Sequence, residues 1–188
     1  SILEGAHTEE SPLHPSNPYS AAKAAADCLV QSYVKTYNLN AVITRTENNC
    51  GPFQHPQKAI PVFVKKALED KNIPLYGDGK HKRMWMHVSD HCEALILLID
   101  KGDAGEIYNI SGSQELENVE LAKIILNRLG KSETLIEYIP DDVIRPGHDR
   151  RYAIDSTKLR NLGWSPKMDL GKTIAYTVDW FRDNKWWY

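Results

Sequence analysis

Ser16-Asn17-Pro18-Tyr19-Ser20-Ala21-Ala22-Lys23-Ala24-Ala25-Ala26, followed by Ala41-Val42-Ile43-Thr44-Arg45-Thr46 and then Glu47-Asn48-Asn49-Cys50-Gly51-Pro52, is the stretch that decides the fold. Ser16 and Asn17 offer capping side chains, and Pro18 suits a first helical turn because an N–H there would have no intrahelical partner. The spacing predicts a helix over 17–38. Its alanines favour helix and carry little bulk, so another helix or a ligand can come close. The apolar run at 41–46 reads as a short buried strand, and residues 48–52 as the turn that ends it.

Outward from this core the same alternation continues. Residues 1–16 hold turn-formers without a period, and the loop-like start at Ser1, without methionine, reads as the start of a fragment. Downstream the pattern predicts a helix over 57–71, a strand at 73–76, a Gly77-Asp78-Gly79 turn and a strand at 84–88. A helix over 89–101 with Asp90 as its cap follows, then a strand at 106–110 and a helix over 118–129 closed by Gly130. A strand at 134–139, a polar loop and a short strand at 152–154 lead to a helix capped by Asp155 and ended by Gly163. Asp169 opens the last helix. Trp85, Trp164 and Trp180 read as core. No repeat or low-complexity tract interrupts the series, and the class is α/β.

Composition excludes several functions. The chain of 188 residues is 41% hydrophobic and 26% charged, a globular profile rather than a disordered one. Its net charge of −2 rules out a nucleic-acid binder as a whole, although Lys80-His81-Lys82-Arg83 and Arg145, Arg150, Arg151 form two local basic runs. Cys28, Cys50 and Cys92 are odd in number and widely spaced, which fits a reducing compartment. The apolar run 94–99 is far short of the ~20 residues a membrane span needs. The chain therefore reads as cytoplasmic, with no membrane partner.

Tyr19-Ser20-Ala21-Ala22-Lys23 carries the first chemistry. A spacing of four puts phenol and ammonium on one helical face, a turn apart. A phenol ordinarily ionises near pH ~10, but a neighbouring lysine and a cationic nicotinamide would favour the phenolate and make Tyr19 a base near neutrality. The same spacing also arises by chance on amphipathic helices. His87-x-x-x-His91-Cys92 has zinc-like spacing, but it straddles a strand-to-helix junction and lacks a fourth ligand.

Taken with the strand end at residues 45–52, the Tyr-Lys helix resembles that of the extended short-chain dehydrogenase/reductases. Arg145-Pro146-Gly147-His148-Asp149-Arg150-Arg151-Tyr152, Pro56-x-Lys58 and Tyr108-Asn109-Ile110 narrow the resemblance to the dTDP-glucose 4,6-dehydratases, over essentially the whole chain. That resemblance implies the carboxyl-terminal part of a Rossmann-like doubly wound sheet plus a smaller α/β substrate-binding domain. Residues 1–55 would be the last elements of the NAD-binding domain, and 56–188 mainly the sugar-nucleotide domain with some return segments. It implies NAD as cofactor, with Tyr19 exchanging the substrate proton, Lys23 on the nicotinamide ribose and Asn49 also at the cofactor. Asn48, Lys58 and Asn118 would lie near the diphosphate and nucleotide, with Pro74 and Tyr76 around the base. Arginine offers phosphate a planar fork of donors, so Arg83, Arg145 and His148 are candidate phosphate contacts, with Tyr152 closing the block. For Arg150 and Arg151 a solvated loop is the competing reading.

The resemblance also shows departures. Met84 and His87 stand where family members carry an acid and a tyrosine, and the G-x-x-G-x-x-G turn and the adjacent Asp-Glu pair that eliminates water are missing from these residues. Glu9 and Glu10 align with a variable loop and read as solvated. The implied reaction converts dTDP-glucose to its 4-keto-6-deoxy product for deoxysugar (rhamnose-type) synthesis, in a homodimer that meets through the Tyr19 helix with Leu29, Val30, Tyr33 and Val34. A related UDP-sugar epimerase or decarboxylase, and a catalytically silent nucleotide-sugar-binding module, are the competing readings. By itself the chain is expected to be inactive.

Overall fold

The computed structural model describes residues 2, 4–112, 114–140 and 149–188, so Arg145 and His148 lie outside the described residues. The Asn17 side chain accepts the Ser20 N–H at 2.9 Å, and with Pro18 in the first turn it starts helix α1 (Pro18–Tyr37). Asn38 ends it in the left-handed conformation. No residue of α1 is buried. Ser20, Ala24, Asp27, Val30 and Val34 form its half-buried stripe. Asp27 meets Arg45 at 2.9 Å and so ties α1 to strand β1 (Ile43–Thr46), which pairs in parallel with β5 (Ile107–Ile110). Val30 and Val34, expected on the contact face between copies, thus belong to the inward stripe.

Residues 48–52 are not simply the turn expected. Asn48–Cys50 forms strand β2, parallel to β4 (Lys82–His87), and the chain turns only at Gly51. A Cβ on Gly51 would stand 2.8 Å from Val88 Cγ1, which explains glycine there. A second strand was not foreseen: β6 (Glu115–Glu117) runs antiparallel to β4, and β8 (Arg151–Tyr152) pairs with β4 in parallel. Strand β3 (Ile73–Tyr76) pairs in parallel with β7 (Ile136–Ile139).

The helices are α2 (Ala59–Leu68), α3 (Val88–Lys101), α4 (Asn118–Arg128), α5 (Thr157–Asn161) and α6 (Leu170–Asp183). Gly130 closes α4 and Asp169 caps α6, its carboxylate accepting the Lys172 N–H. Asp155 accepts the Thr157 N–H, although Ser156 occupies the cap position of α5. Asp90 is a correction. Because α3 begins at Val88, His87 is its cap, accepting the Ser89 N–H through Nδ1, while the buried Asp90 carboxylate accepts the Met168 N–H. Glu9 is another: it is half-buried and its Oε1 accepts the Asn109 N–H at 2.8 Å, whereas Glu10 is exposed.

Two apolar clusters flank the β4 sheet. One joins α2, α4 and α6 over Ile73, Leu75, Cys50 and Trp85; the other joins Met86, α3, β5, Leu159 and Trp164. Trp85 and Trp164 are buried as expected, and Trp180 packs half-buried against the first cluster.

Candidate active site

β4 organises the predicted substrate residues. Asn48 stands opposite Trp85, and Arg83 stands opposite both Tyr152 on β8 and Leu116 on β6. Paired residues share a face and alternate residues return to it, so Asn48, Arg83 and Tyr152 lie on the side of the first cluster. Asn49, opposite Met86, lies on the other. One residue of chain separates the expected substrate face from the expected cofactor face. Arg83 donates to the carbonyls of Lys82 and Asp149, both at 2.6 Å, which anchors the end of the 145–152 block to β4.

Tyr76 and Asn118 are joined by the turn between β3 and β4. Gly79 N–H donates to Tyr76 O, Gly79 O accepts from Val119 N–H, and Asn118 N–H donates to His81 O. A Cβ on Gly79, whose φ is +72°, would meet Leu75, Tyr138 and Val119 side chains each at 3.2 Å. Pro74 is half-buried on β3, and Lys58 is exposed at the cap position of α2. Arg150 and Arg151 are not simply solvated, as the competing reading had it: Arg150 forks onto Asp78, and Arg151 onto Glu115 at 3.0 and 2.6 Å.

Tyr19 is 75% exposed near the start of α1, with Lys23 one turn on, also exposed. Asn49 has its amide oxygen shielded without a hydrogen-bond partner among the described residues. His87 Nδ1 meets Ser89 Oγ at 2.6 Å and His91 Nδ1 meets Thr46 Oγ1 at 3.3 Å, so the two rings turn to different partners. Burial lowers the pKa of both, and they stay neutral at physiological pH. Among the described residues no group of three His, Cys, Asp or Glu could hold a metal ion, and no helix is long and apolar enough to cross a membrane.

Sequence reasoning missed Glu47. It is buried between β1 and β2, and burial, reinforced by Glu115, pushes its carboxyl up to about 8. Burial and then Glu47 raise the Tyr152 phenol as well. The available signal was an acid directly between an apolar strand and two asparagines.

A Tyr-x-x-x-Lys pair on an open helix beside parallel strands, feeding a second apolar lobe, defines an α/β chain of the short-chain dehydrogenase/reductase type. The chain belongs to the family described as GDP-mannose 4,6 dehydratase, whose model matches residues 1–177. It is 47% identical over 189 residues to the dTDP-glucose 4,6-dehydratase of Streptomyces niveus, covering all of this chain and 55% of that protein. It is similar to the crystal structure of dTDP-glucose 4,6-dehydratase from Bacillus anthracis with NAD (46% identity, TM-score 0.93, all of this chain and 59% of that one). It is also similar to DesIV, the dTDP-glucose 4,6-dehydratase of Streptomyces venezuelae, with NAD and TYD bound (45% identity, TM-score 0.95, all of this chain and 58% of that one). The chain thus spans somewhat over half the length of the relatives it matches.

Proposed function

We propose that this chain is the substrate-side part of an NAD-dependent dTDP-glucose 4,6-dehydratase, a cytoplasmic homodimer. The observation that carries the reading is the exposed Tyr19-Lys23 face in a chain all of which is similar to part of DesIV, the structure with NAD and TYD bound. Residues 1–55 supply the end of the cofactor-binding domain and 56–188 mainly the sugar-nucleotide domain. Segments 86–110 and 159–164, which build the cluster behind β5, return to the first. The residues present fit NAD: an exposed phenol with an ammonium one turn away, and the shielded Asn49 oxygen, without a partner among the described residues, as an acceptor. When bound, NAD supplies the hydride acceptor and donor.

Tyr19 takes the proton from the hydroxyl at sugar carbon 4, and Lys23 stabilises the phenolate and holds the nicotinamide ribose. Arg83, Arg145 and His148, with Asn48, Lys58 and Asn118, hold the diphosphate and nucleotide; Pro74 and Tyr76 flank the base. Tyr152 closes the substrate face. The acid and base that remove water lie outside these residues, so the 188-residue chain is inactive alone. In the full-length protein, Tyr19→Phe is expected to lower single-turnover reduction of NAD at least a hundredfold with dTDP-glucose affinity nearly unchanged. Normal turnover of that variant removes Tyr19 from the mechanism.

A further inference from the structure

Glu47 bridges two segments that the proposed function needs. It directly precedes Asn48, yet its carboxyl reaches the far end of the chain: Oε1 accepts the Ile154 N–H at 3.1 Å. The residue is 6% exposed, and Oε2 is shielded with no hydrogen-bond partner among the described residues. Ile154 lies two residues past Tyr152. Strand β8 (Arg151–Tyr152), just before it, is fastened to β4, to Glu115 through Arg151, and to Gly5 O by the Arg151 Nη1 donor at 2.7 Å.

We propose that Glu47 is a positioning residue: its bond to Ile154 fixes residues 151–154, Tyr152 among them, against the β1–β2 corner that carries Asn48. The inference rests on the reading of Asn48, Arg83 and Tyr152 as nucleotide and diphosphate contacts. Burial keeps the carboxyl neutral at about pH 7, with its pKa pushed up to about 8. The Ile154 N–H opposes that rise, Glu115 of β6 adds to it and Arg151 of β8 opposes it, the last being already engaged by Glu115. Tyr152, which also faces the group, itself feels Arg45 of β1, Asp149 and Asp27 of α1. Ionisation at higher pH sets a negative charge beside Asn48 and Tyr152, which face the diphosphate, and the ligand is repelled.

The test uses the full-length protein, with thymidine diphosphate binding by calorimetry and steady-state kinetics on dTDP-glucose. Glu47→Ala removes the acceptor. Thymidine diphosphate is expected to bind about tenfold more weakly, with KM raised in step and kcat within about threefold of the parent. Glu47→Gln keeps the acceptor but cannot ionise, so it should bind like the parent at about pH 7. It should also escape the roughly threefold or greater loss that the parent shows by about pH 9. Parent-like binding by Glu47→Ala overturns the proposal, and so do identical pH profiles for the parent and Glu47→Gln. If Glu47→Ala folds poorly, the comparison of pH profiles decides alone. A parent that binds no thymidine diphosphate overturns the functional reading together with this one, whereas a parent that binds it with profiles unmoved by the variants overturns this one only.

Discussion

Glu47 holds its proton in the folded protein where the unfolded chain has already lost it. Its pKa is about 8 in the fold against an ordinary value of 4.5. Between those values the folded state binds one proton more, so stability falls as pH rises, by about 1.4 kcal/mol per pH unit at most. The contribution is whole below about pH 4.5, is lost as pH approaches 8, and is constant beyond. Glu47→Gln keeps the Ile154 bond and removes this slope. Urea denaturation should find the variant more stable than the parent by on the order of 2–3 kcal/mol at about pH 7, with the two converging near pH 4.5; parallel curves would show that the carboxyl ionises normally. If Arg145 holds the diphosphate as proposed, Arg145→Ala should weaken binding. Loss of one charged hydrogen bond to phosphate costs about 1.5–3 kcal/mol, and calorimetry with dTDP-glucose should show a ten- to hundredfold weaker complex.

Elements with a strong local cause were legible. Asn17-Pro18 started α1, Asp169 opened α6 and Gly130 closed α4, because caps and left-handed turns are decided by a few adjacent atoms. Strands β2 and β6 were not, since Asn48-Asn49-Cys50 and Glu115-Leu116-Glu117 have poor intrinsic strand preference. They are strands because β4 offers both edges and because Lys82 and Arg151 sit against Glu117 and Glu115. That information is separated by tens of residues in the chain. The Tyr19-Lys23 pair could be read from its spacing, but the division of Asn48 and Asn49 between two faces required the register with β4. The Gly79 turn tests the element scale. Gly79→Ala adds a Cβ at positive φ against three side chains at 3.2 Å, so it should cost about 1–3 kcal/mol of stability and loosen the Tyr76–Asn118 region. A thermal midpoint equal to the parent's would mean that the turn accommodates it.

For the whole molecule, α1 presents two distinct stripes. Ser20, Ala24, Asp27, Val30 and Val34 are half-buried, with Asp27 bound to Arg45 and Val34 Cγ1 at 3.1 Å from where a Gly105 Cβ would stand. Ala22, Ala26, Leu29, Tyr33 and Tyr37 form a second stripe along the helix beside the first, with Leu29 59%, Tyr33 49% and Tyr37 71% exposed and the two tyrosine rings 5.4 Å apart. A helix that already faces β1 with one stripe does not use the other to cover the same strand. Small and aromatic side chains at this spacing suit close packing against a second helix, and two-fold symmetry would bring the same stripe from another copy. Each large apolar side chain so covered contributes about 1.5–3 kcal/mol. Leu29→Glu with Tyr33→Glu leaves the inward stripe and Lys23 untouched, so the full-length protein should keep its fold by circular dichroism. Its dimer dissociation constant in sedimentation should rise at least about a hundredfold, because four apolar side chains, two from each copy, become four buried like charges across the axis. A parent that is monomeric at micromolar concentration would refute the dimer, and a variant that dimerises as tightly as the parent would place the interface elsewhere.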